Sequence, residues 1–232
     1  MKASIIGTGV RSRLMATSLV KSGIRNLSLI GHNRYENHDV AAGYQKIKII
    51  PFEVSQMAAI RQIANSDLII STVDDDGARL IAGVISNAYN RPLLDVSYGG
   101  EKNNTGTDIR LILPSENRCI LCFGNLTRID ELDQLTRLNK KYKPSQIEPI
   151  VVSHNSLGVQ IGVNLIEYFM SGRITESIFL KLEYHNSSPK ISKIDVAKNY
   201  QCRVCQQVGT EDKILDGLPQ LIRKIIIEKQ IA

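Results

Sequence analysis

The first half of the chain alternates short apolar runs with stretches in which apolar residues recur at helical spacing. The apolar runs predict strands at 3–7, 26–31, 46–52, 67–73, 92–98 and 108–114. The helical patterns between them predict helices at 10–23, 54–66 and 77–90. Strands that are apolar along their whole length and separated by amphipathic helices are typical of a parallel sheet covered on both faces.

The second half has a different pattern. A polar, basic stretch at 125–149 contains a helical pattern of its own, and a longer helix is predicted after it. Two runs at 177–185 and 189–197 predict paired antiparallel strands, and an amphipathic helix is predicted at about 213–229. The fold class we predict is α/β: a Rossmann-like, largely parallel sheet with helices on both faces, followed by a region with antiparallel strands.

Within this fold we expect two halves of a single domain. Residues 1–118 form the Rossmann-like nucleotide-binding half. Residues 119–232 form the C-terminal half, which we expect to provide the substrate and dimer region.

The net charge and the content of aromatic residues indicate which classes of binding partner this chain can have. The net charge is +6, but basic residues are spread along the chain, with the densest run at 137–143, and aromatic residues make up only 5%. Because no aromatic positions interleave with the charges, we expect no nucleic-acid partner. The charge then indicates either a solvated surface or a docking face for an acidic protein or peptide. No apolar run approaches the roughly 20 residues that cross a bilayer, and no cleavable signal is seen, so we expect a cytoplasmic protein without a membrane partner.

A glycine turn follows the first predicted strand. The stretch IIGTGVRS places Gly7 and Gly9 between a strand and a helix, with Ser12 where a third glycine would complete GxGxxG. Glycines at this point let the backbone approach phosphate groups at a helix N-terminus, so the turn is a candidate nucleotide site. The alternative is a tight strand-to-helix turn that binds nothing.

The position after the second strand argues against a usual dinucleotide site. Nucleotide-binding folds often carry there a carboxylate that holds the ribose, but this chain has Gly31, followed two residues later by Asn33 and Arg34. These two side chains suit a 2′-phosphate, which keeps an NADP-type site as an alternative.

Three consecutive aspartates follow the fourth predicted strand. Asp74, Asp75 and Asp76 lie at the edge of the sheet where ligands bind, and Arg79 follows about one helical turn later. Clustered carboxylates can hold Mg²⁺ against a triphosphate, and the arginine can pair with a phosphate or with one of the carboxylates. The alternative is helix capping, which also favours acidic residues at this position.

The four cysteines form two CxxC pairs: Cys119 with Cys122, and Cys202 with Cys205. In a reducing compartment such pairs favour metal binding over disulfides. Two pairs can close a tetrahedral Zn²⁺ site, which would be structural because no coordination position stays open. A redox pair is the less favoured alternative.

These features together resemble the ThiF/MoeB/HesA family, the bacterial relatives of ubiquitin-activating enzymes. The resemblance is carried by GTGVRSRLMATSLVKSGIRNLSLIG, SDLIISTVDDDGAR, NRPLLDVSYGG, PSENRCILC, SLGVQIGVNLIEYFMSG and YQCRVC. It implies zinc at the two CxxC pairs and a role for Asp74 in handling Mg²⁺ and ATP. It also implies adenylation of the C-terminal carboxylate of a small ubiquitin-like protein or peptide, by a protein that generally acts as a dimer.

The chain departs from the family pattern at several positions of the nucleotide site. Val10 and Ser12 replace two glycines of the turn. Gly31 and Asn33 replace two acidic residues, an alanine at 42 replaces an arginine, and the segment with the ATP-contacting lysine is shortened. No fifth cysteine is present to form a thioester.

Three functional hypotheses follow. In the first, the chain is an adenylyltransferase with impaired or unusual ATP chemistry, in which Gly7, Gly9, Asp74 and Arg79 bind ATP. Arg11 and Arg13, beside the glycine turn, replace the missing cations. In the second, it is a non-catalytic ThiF-like subunit that pairs with itself or with a related chain. The third is an NADP-dependent oxidoreductase.

Overall fold

A computed structural model of the chain describes residues 1–31, 47–98, 106–116, 118–124, 126, 152–185 and 188–231. The strands are β1 (Lys2–Ile6), β2 (Asn26–Ile30), β3 (Ile47–Ile50), β4 (Leu68–Ser71), β5 (Leu93–Tyr98), β6 (Gly106–Ile112), β7 (Ile178–His185) and β8 (Ser188–Lys193). The helices are α1 (Val10–Lys21), α2 (Met57–Ala64), α3 (Asp76–Ala88), α4 (Val152–Met170) and α5 (Lys213–Ile231). Short 3₁₀ turns lie at Pro114–Glu116 and Cys205–Gln207.

The strands form a single eight-stranded sheet in the order β3-β2-β1-β4-β5-β6-β7-β8. The strands from β3 through β5 pair in parallel, and β6, β7 and β8 pair antiparallel. The order 3-2-1-4-5 of the parallel strands is that of a doubly wound nucleotide-binding sheet. The predicted α/β fold, with a parallel sheet followed by antiparallel strands, is confirmed.

Apolar side chains cover both faces of the sheet. On one face α1 and α4 pack through Met15, Leu19 and Ile166 against alternate strand residues such as Ile5 and Ile70. The other alternate residues face α2, α3, α5 and the four cysteines. The sheet therefore lies between two helical layers, as the apolar strands predicted.

Most predicted elements in the described part of the chain form with ends shifted by a few residues. The third strand ends at Ile50, short of the predicted 52, because Pro51 has no N–H to continue the ladder. The chain leaves α1 through Gly23, whose positive φ of 91° favours glycine. The helical pattern within 125–149 and the basic run at 137–143 lie outside the described residues. The division at residue 118 stays a prediction.

Candidate functional site

Two loops meet at the topological switch point of the sheet, where the strand order changes direction between β1 and β4. β1 and β4 are neighbours in the sheet, yet their following helices, α1 and α3, cover opposite faces. The loop after β1 carries the glycine turn, and the loop after β4 carries the aspartates. In open parallel sheets a crevice forms at such a switch point, beyond the carboxyl ends of the strands, and ligands bind there. The structure thus brings together two motifs that the sequence separates by some 65 residues.

Gly7 is required by the protein itself. Its φ of 121° is one that other residues rarely adopt, and a Cβ would lie 2.7 Å from Ser12 Oγ and 2.8 Å from Thr72 Oγ1. The Thr72 hydroxyl donates to the Ile6 carbonyl at 3.0 Å, so the Ser12 hydroxyl is left to donate to Thr72 Oγ1 at 2.7 Å. Ser12 therefore ties α1 to β4 with a buried hydrogen bond, at the position where the motif has its third glycine.

Gly9 has the opposite character. It is exposed, its φ of −80° suits any residue, and a Cβ there would meet none of the described residues within 4 Å. It is the N-cap of α1; among the described residues no side chain caps this helix, and its first turn carries no acidic residue. The first N–H groups of a helix have no intrahelical acceptor, and its dipole favours an anion at this end. The open approach over Gly9 suits a phosphate group.

The side chain of Arg11 extends from α1 towards β4 and β5. It leaves the first turn of α1, forms an ion pair with Asp74 beyond β4, and donates through Nη1 to the Val96 carbonyl of β5 at 3.4 Å. Only 8% of Arg11 is exposed. The side chain therefore contacts the ends of two strands at the switch point and neutralises the carboxylate that the sequence assigns to a metal ion.

The other two aspartates of the cluster have structural partners. Asp75 is the N-cap of α3, and its Oδ1 accepts a 2.6 Å hydrogen bond from the Ala78 N–H. Asp76 is buried and accepts a 2.7 Å hydrogen bond from Arg79 Nη1. The capping alternative is thus correct for Asp75. Each of the three carboxylates has a protein partner, so the cluster as it stands does not fit the Mg²⁺ ion that clustered carboxylates can hold. The role of Asp74 in handling Mg²⁺ and ATP stays a prediction.

Arg79 lies in a buried charge network. Its guanidinium donates to both carboxylate oxygens of Asp95, at 3.2 and 2.9 Å. Arg110 also donates to Asp95, at 2.9 Å, and pairs with Asp108. Asp95 and Arg110 have no exposed surface. The role of Arg79 as a nucleotide ligand stays a prediction, since in this structure two aspartates hold its guanidinium.

The network shifts the ionisation of its members. Burial alone would lower the pKa of Arg79 and raise the pKa of Asp95. The ion pairs outweigh burial: Asp95 raises the pKa of Arg79, and Arg79 and Arg110 lower the pKa of Asp95. The pairing of Arg79 with one of the three aspartates, Asp76, was one of the two alternatives for this arginine and is confirmed. The rest of the network was missed, and its signal in the sequence was the presence of charged residues inside apolar strands.

Local packing explains why a glycine, and not a larger residue, occupies position 31. A Cβ at this position would lie 2.3 Å from Thr8 Cγ2 in the glycine turn. An acidic side chain after β2 would therefore displace Thr8, which accounts for the missing ribose carboxylate. Asn33 and Arg34, which carry the NADP hypothesis, lie outside the described residues.

The four cysteines come together on the α3 side of the sheet. All four Sγ atoms lie within 4.8 Å of one another, with contacts of 3.4 to 3.7 Å. A disulfide would need about 2.05 Å. A tetrahedron of sulfurs about 2.3 Å from a Zn²⁺ ion has edges of about 3.8 Å. The predicted ligands Cys119, Cys122, Cys202 and Cys205 therefore form a cluster that fits a tetrahedral metal ion.

The protonation of this cluster also suits a cation. Hydrogen bonds with the neighbouring sulfurs raise the pKa of Cys119 and lower the pKa of Cys202. These opposite shifts arise because the four sulfurs lie close enough to interact. A bound divalent cation supplies the charge that lets all four ionise.

Comparison with known proteins shows the fold. No protein-family model matches the chain, and no curated protein sequence is recognisably similar to it. Among solved structures, E. coli MccB matches with a TM-score of 0.61 at 14% identity, over 88% of this chain and 65% of the MccB chain. PaaA matches with a TM-score of 0.56 at 15% identity, over 85% of this chain and 73% of its own. The chain therefore shares its fold with MccB and PaaA.

MccB has been solved in informative complexes. A complex with ATP matches with a TM-score of 0.60 at 14% identity, over 88% of this chain and 67% of that chain. MccB, described as a microcin C7 biosynthetic enzyme, has also been solved with N-formylated MccA, with the same scores. This chain thus spans about two thirds of a protein that binds a nucleotide and MccA. Within the described residues, no helix combines the length and apolar character needed to span a membrane.

Proposed function

We propose that this chain binds ATP in the crevice between the glycine turn and Asp74 and activates the C-terminal carboxylate of a peptide or small ubiquitin-like protein. The observation that carries the proposal is the meeting of three features at the β1–β4 switch point: the exposed backbone at Gly9, an N-terminus of α1 that no described side chain caps, and the guanidinium of Arg11. The MccB complexes with ATP and with N-formylated MccA support it.

The chemistry is a nucleotidyl transfer. A carboxylate oxygen of the substrate attacks the α-phosphorus of ATP, the bond from that phosphorus to the bridging oxygen breaks, and pyrophosphate leaves. Positive charge has to stabilise the leaving group. The described residues that can supply it are the α1 N–H groups, Arg11 and Arg13, and we assign them to the phosphates. The departures from the family pattern favour slow or unusual ATP chemistry.

The four-cysteine cluster has a separate role in this proposal. It holds a structural Zn²⁺ ion, because four cysteine ligands complete the tetrahedron and leave no position for a substrate. The cysteines come from the segment after β6 and from the segment after β8, so the ion fastens these two segments of the C-terminal half to each other.

The experiment is pyrophosphate exchange. Radiolabelled pyrophosphate should enter ATP only when the zinc-loaded chain is mixed with its carboxylate substrate, supplied as candidate peptides from genes beside its own. Calorimetric titration of ATP should show binding by the wild type and a loss of about tenfold or more in the Arg11→Ala/Arg13→Ala variant. The matched control is Arg61→Ala, an exposed arginine on α2. Unchanged ATP binding in the double variant would remove the proposed phosphate site.

A second candidate is a non-catalytic subunit. The Arg11–Asp74 ion pair favours it, because a site whose carboxylate is already neutralised can persist without turnover. In this case the chain forms a homodimer or pairs with a related catalytic chain. ATP binding without exchange, for every candidate substrate and partner, would select this function over the first.

A further inference from the structure

The ion pair between Arg11 and Asp74 points to an unusual mode of nucleotide binding. Asp74 is the carboxylate that the family resemblance assigns to Mg²⁺, and in this chain a guanidinium lies against it. We infer that Arg11 takes the place of the divalent cation at Asp74, so that this chain binds the triphosphate of a nucleotide without Mg²⁺. The inference rests on the proposed nucleotide site and specifies its ligand as an uncomplexed nucleoside triphosphate.

The first support is position. Arg11 begins at the first turn of α1, directly after the glycine turn, and ends between Asp74 and the Val96 carbonyl. The side chain that starts beside the turn proposed to receive the phosphates therefore ends against the carboxylate that would hold the ion. A divalent cation placed at Asp74 would be repelled by this guanidinium, or would have to displace it.

The second support is burial. Arg11 is 8% exposed, and the Asp74 side chain is 20% exposed. Such a partly buried pair is screened much less by salt than an exposed one. It is held by the protein and not by chance contact at a surface.

The third support is the donor geometry of arginine. A guanidinium carries five N–H donors in a planar fork, and the contacts to Asp74 and Val96 involve its two terminal nitrogens. Donors remain that suit phosphate oxygens, which arginine binds well. An ion pair at Asp74 also cancels the negative charge that would otherwise repel a triphosphate.

The test is ATP affinity measured by calorimetry with and without Mg²⁺. The zinc-loaded full chain is used in buffer freed of Mg²⁺ by a chelating resin, because soluble chelators would remove zinc, and zinc content is checked afterwards. We expect the wild-type affinity to change by less than about threefold between the two buffers. A loss of about tenfold or more without Mg²⁺ would overturn the inference and leave the proposed function standing. No ATP binding in either buffer would overturn both.

Two variants sharpen the result. Arg11→Ala should lose about tenfold or more in affinity without Mg²⁺ and recover part of it when Mg²⁺ is added, because Asp74 is then available to the ion. Asp74→Asn should keep the Mg²⁺-free affinity within about threefold, since Arg11 is then released to the phosphates. Full affinity in Arg11→Ala without Mg²⁺, or loss of binding in Asp74→Asn, would contradict the inference. Circular dichroism confirms folding, and Arg61→Ala is the matched control. If Arg11→Ala does not fold, Arg11→Lys replaces it and should show a smaller loss.

Discussion

Replacing Asp95 with asparagine should strongly destabilise the protein. Asp95 has no exposed surface and accepts hydrogen bonds at 2.9 to 3.2 Å from Arg79 and Arg110. Asparagine keeps the shape but removes the charge that Arg79 and Arg110 share. Each of these two buried guanidinium groups then keeps one carboxylate partner, Asp76 or Asp108, in place of two. Removing one partner of a buried ion pair costs about 3–5 kcal/mol.

The cost converts to a melting temperature. A chain of 232 residues has an unfolding entropy of about 0.5 kcal/mol/K, so a loss of about 4 kcal/mol lowers the Tm by about 8 °C. The assay is thermal unfolding followed by circular dichroism, on zinc-loaded protein at pH 7. The matched control is Glu176→Gln, the same change of acid to amide in an exposed pair with Lys193 at 3.5 Å.

The control shows how much of the Tm change comes from the burial of the carboxylate and how much from the loss of its charge alone. The Glu176 and Lys193 side chains are 60% and 56% exposed, and exposed pairs contribute at most about 1 kcal/mol, so Glu176→Gln should shift the Tm by no more than about 2 °C. A shift below about 2 °C in Asp95→Asn would refute the stabilising role of the network. Equal shifts in both variants would refute burial as its cause.

The difference in Tm between wild type and Asp95→Asn should also depend on pH, in a direction that the pKa of Asp95 determines. Burial alone would raise the pKa of Asp95, but Arg79 and Arg110 hold it below its ordinary value. A carboxylate with a lowered pKa stabilises the folded state above its unfolded pKa, about 3.9. That contribution is lost as the pH falls through the folded pKa. The Tm difference between wild type and Asp95→Asn should therefore stay constant from pH 7 to about pH 5 and narrow below about pH 4. A difference that widens in acid would contradict this assignment.

Two further predictions concern the glycine turn and the cysteine cluster. Gly7→Ala should lower the free energy of unfolding by about 1–3 kcal/mol, because Gly7 has a positive φ and its Cβ would contact Ser12. Gly9→Ala should leave the Tm unchanged and weaken ATP binding about tenfold. Calorimetry and thermal unfolding check both, and unchanged ATP affinity in Gly9→Ala would speak against phosphate at this turn. Chelation should release one Zn²⁺ per chain, measured with a chromogenic dye. When the free zinc concentration before chelation is about 1,000 times the Kd of the site, removing the ion should lower the Tm by about 8 °C. Cys202→Ser should retain less than one equivalent, and full retention would contradict the four-cysteine site.

The strands were predictable because burial on both faces leaves a strong trace in the sequence. A continuous apolar run such as 67–73, when it lies between amphipathic helices, is typical of a strand in the interior of a parallel sheet. The cysteine cluster was predictable for a similar reason, since two CxxC pairs in one chain carry their chemistry in their spacing. The meeting of the glycine turn and Asp74 also followed, because β1 and β4 are adjacent in a doubly wound sheet.

The partners of the charged side chains were not predictable in the same way. Arg11 and Arg13 are two residues apart and look equivalent in sequence, yet Arg11 is buried and Arg13 is half-buried. The difference depends on the direction of each side chain on α1. The pairing of Asp95 with Arg110 depends on the register of β5 and β6, where the two residues lie opposite each other. Neither direction nor register is set by local propensity.

Helix α3 connects the two candidate sites physically. Its N-terminus carries Asp76 and Arg79 of the charge network, beside the aspartate loop. One face of its middle lies so close to the CxxC segment that a Cβ at Gly83 would meet Ile120 Cγ2 at 2.3 Å.

A second connection runs through the sheet. The Arg110 guanidinium lies 4.5 Å from the centre of the Phe179 ring, and Phe179 packs against Phe123, the residue after the first CxxC pair. The cysteine segment therefore packs on the middle of α3, with Gly83 as the close contact, and the charge network holds the N-terminal end of the helix. Because α3 begins beside Asp74, the packing of this helix also bears on the position of the loop that faces the proposed nucleotide. In the proposed function, a Zn²⁺ ion at the four cysteines would therefore act on the crevice only through the position of α3.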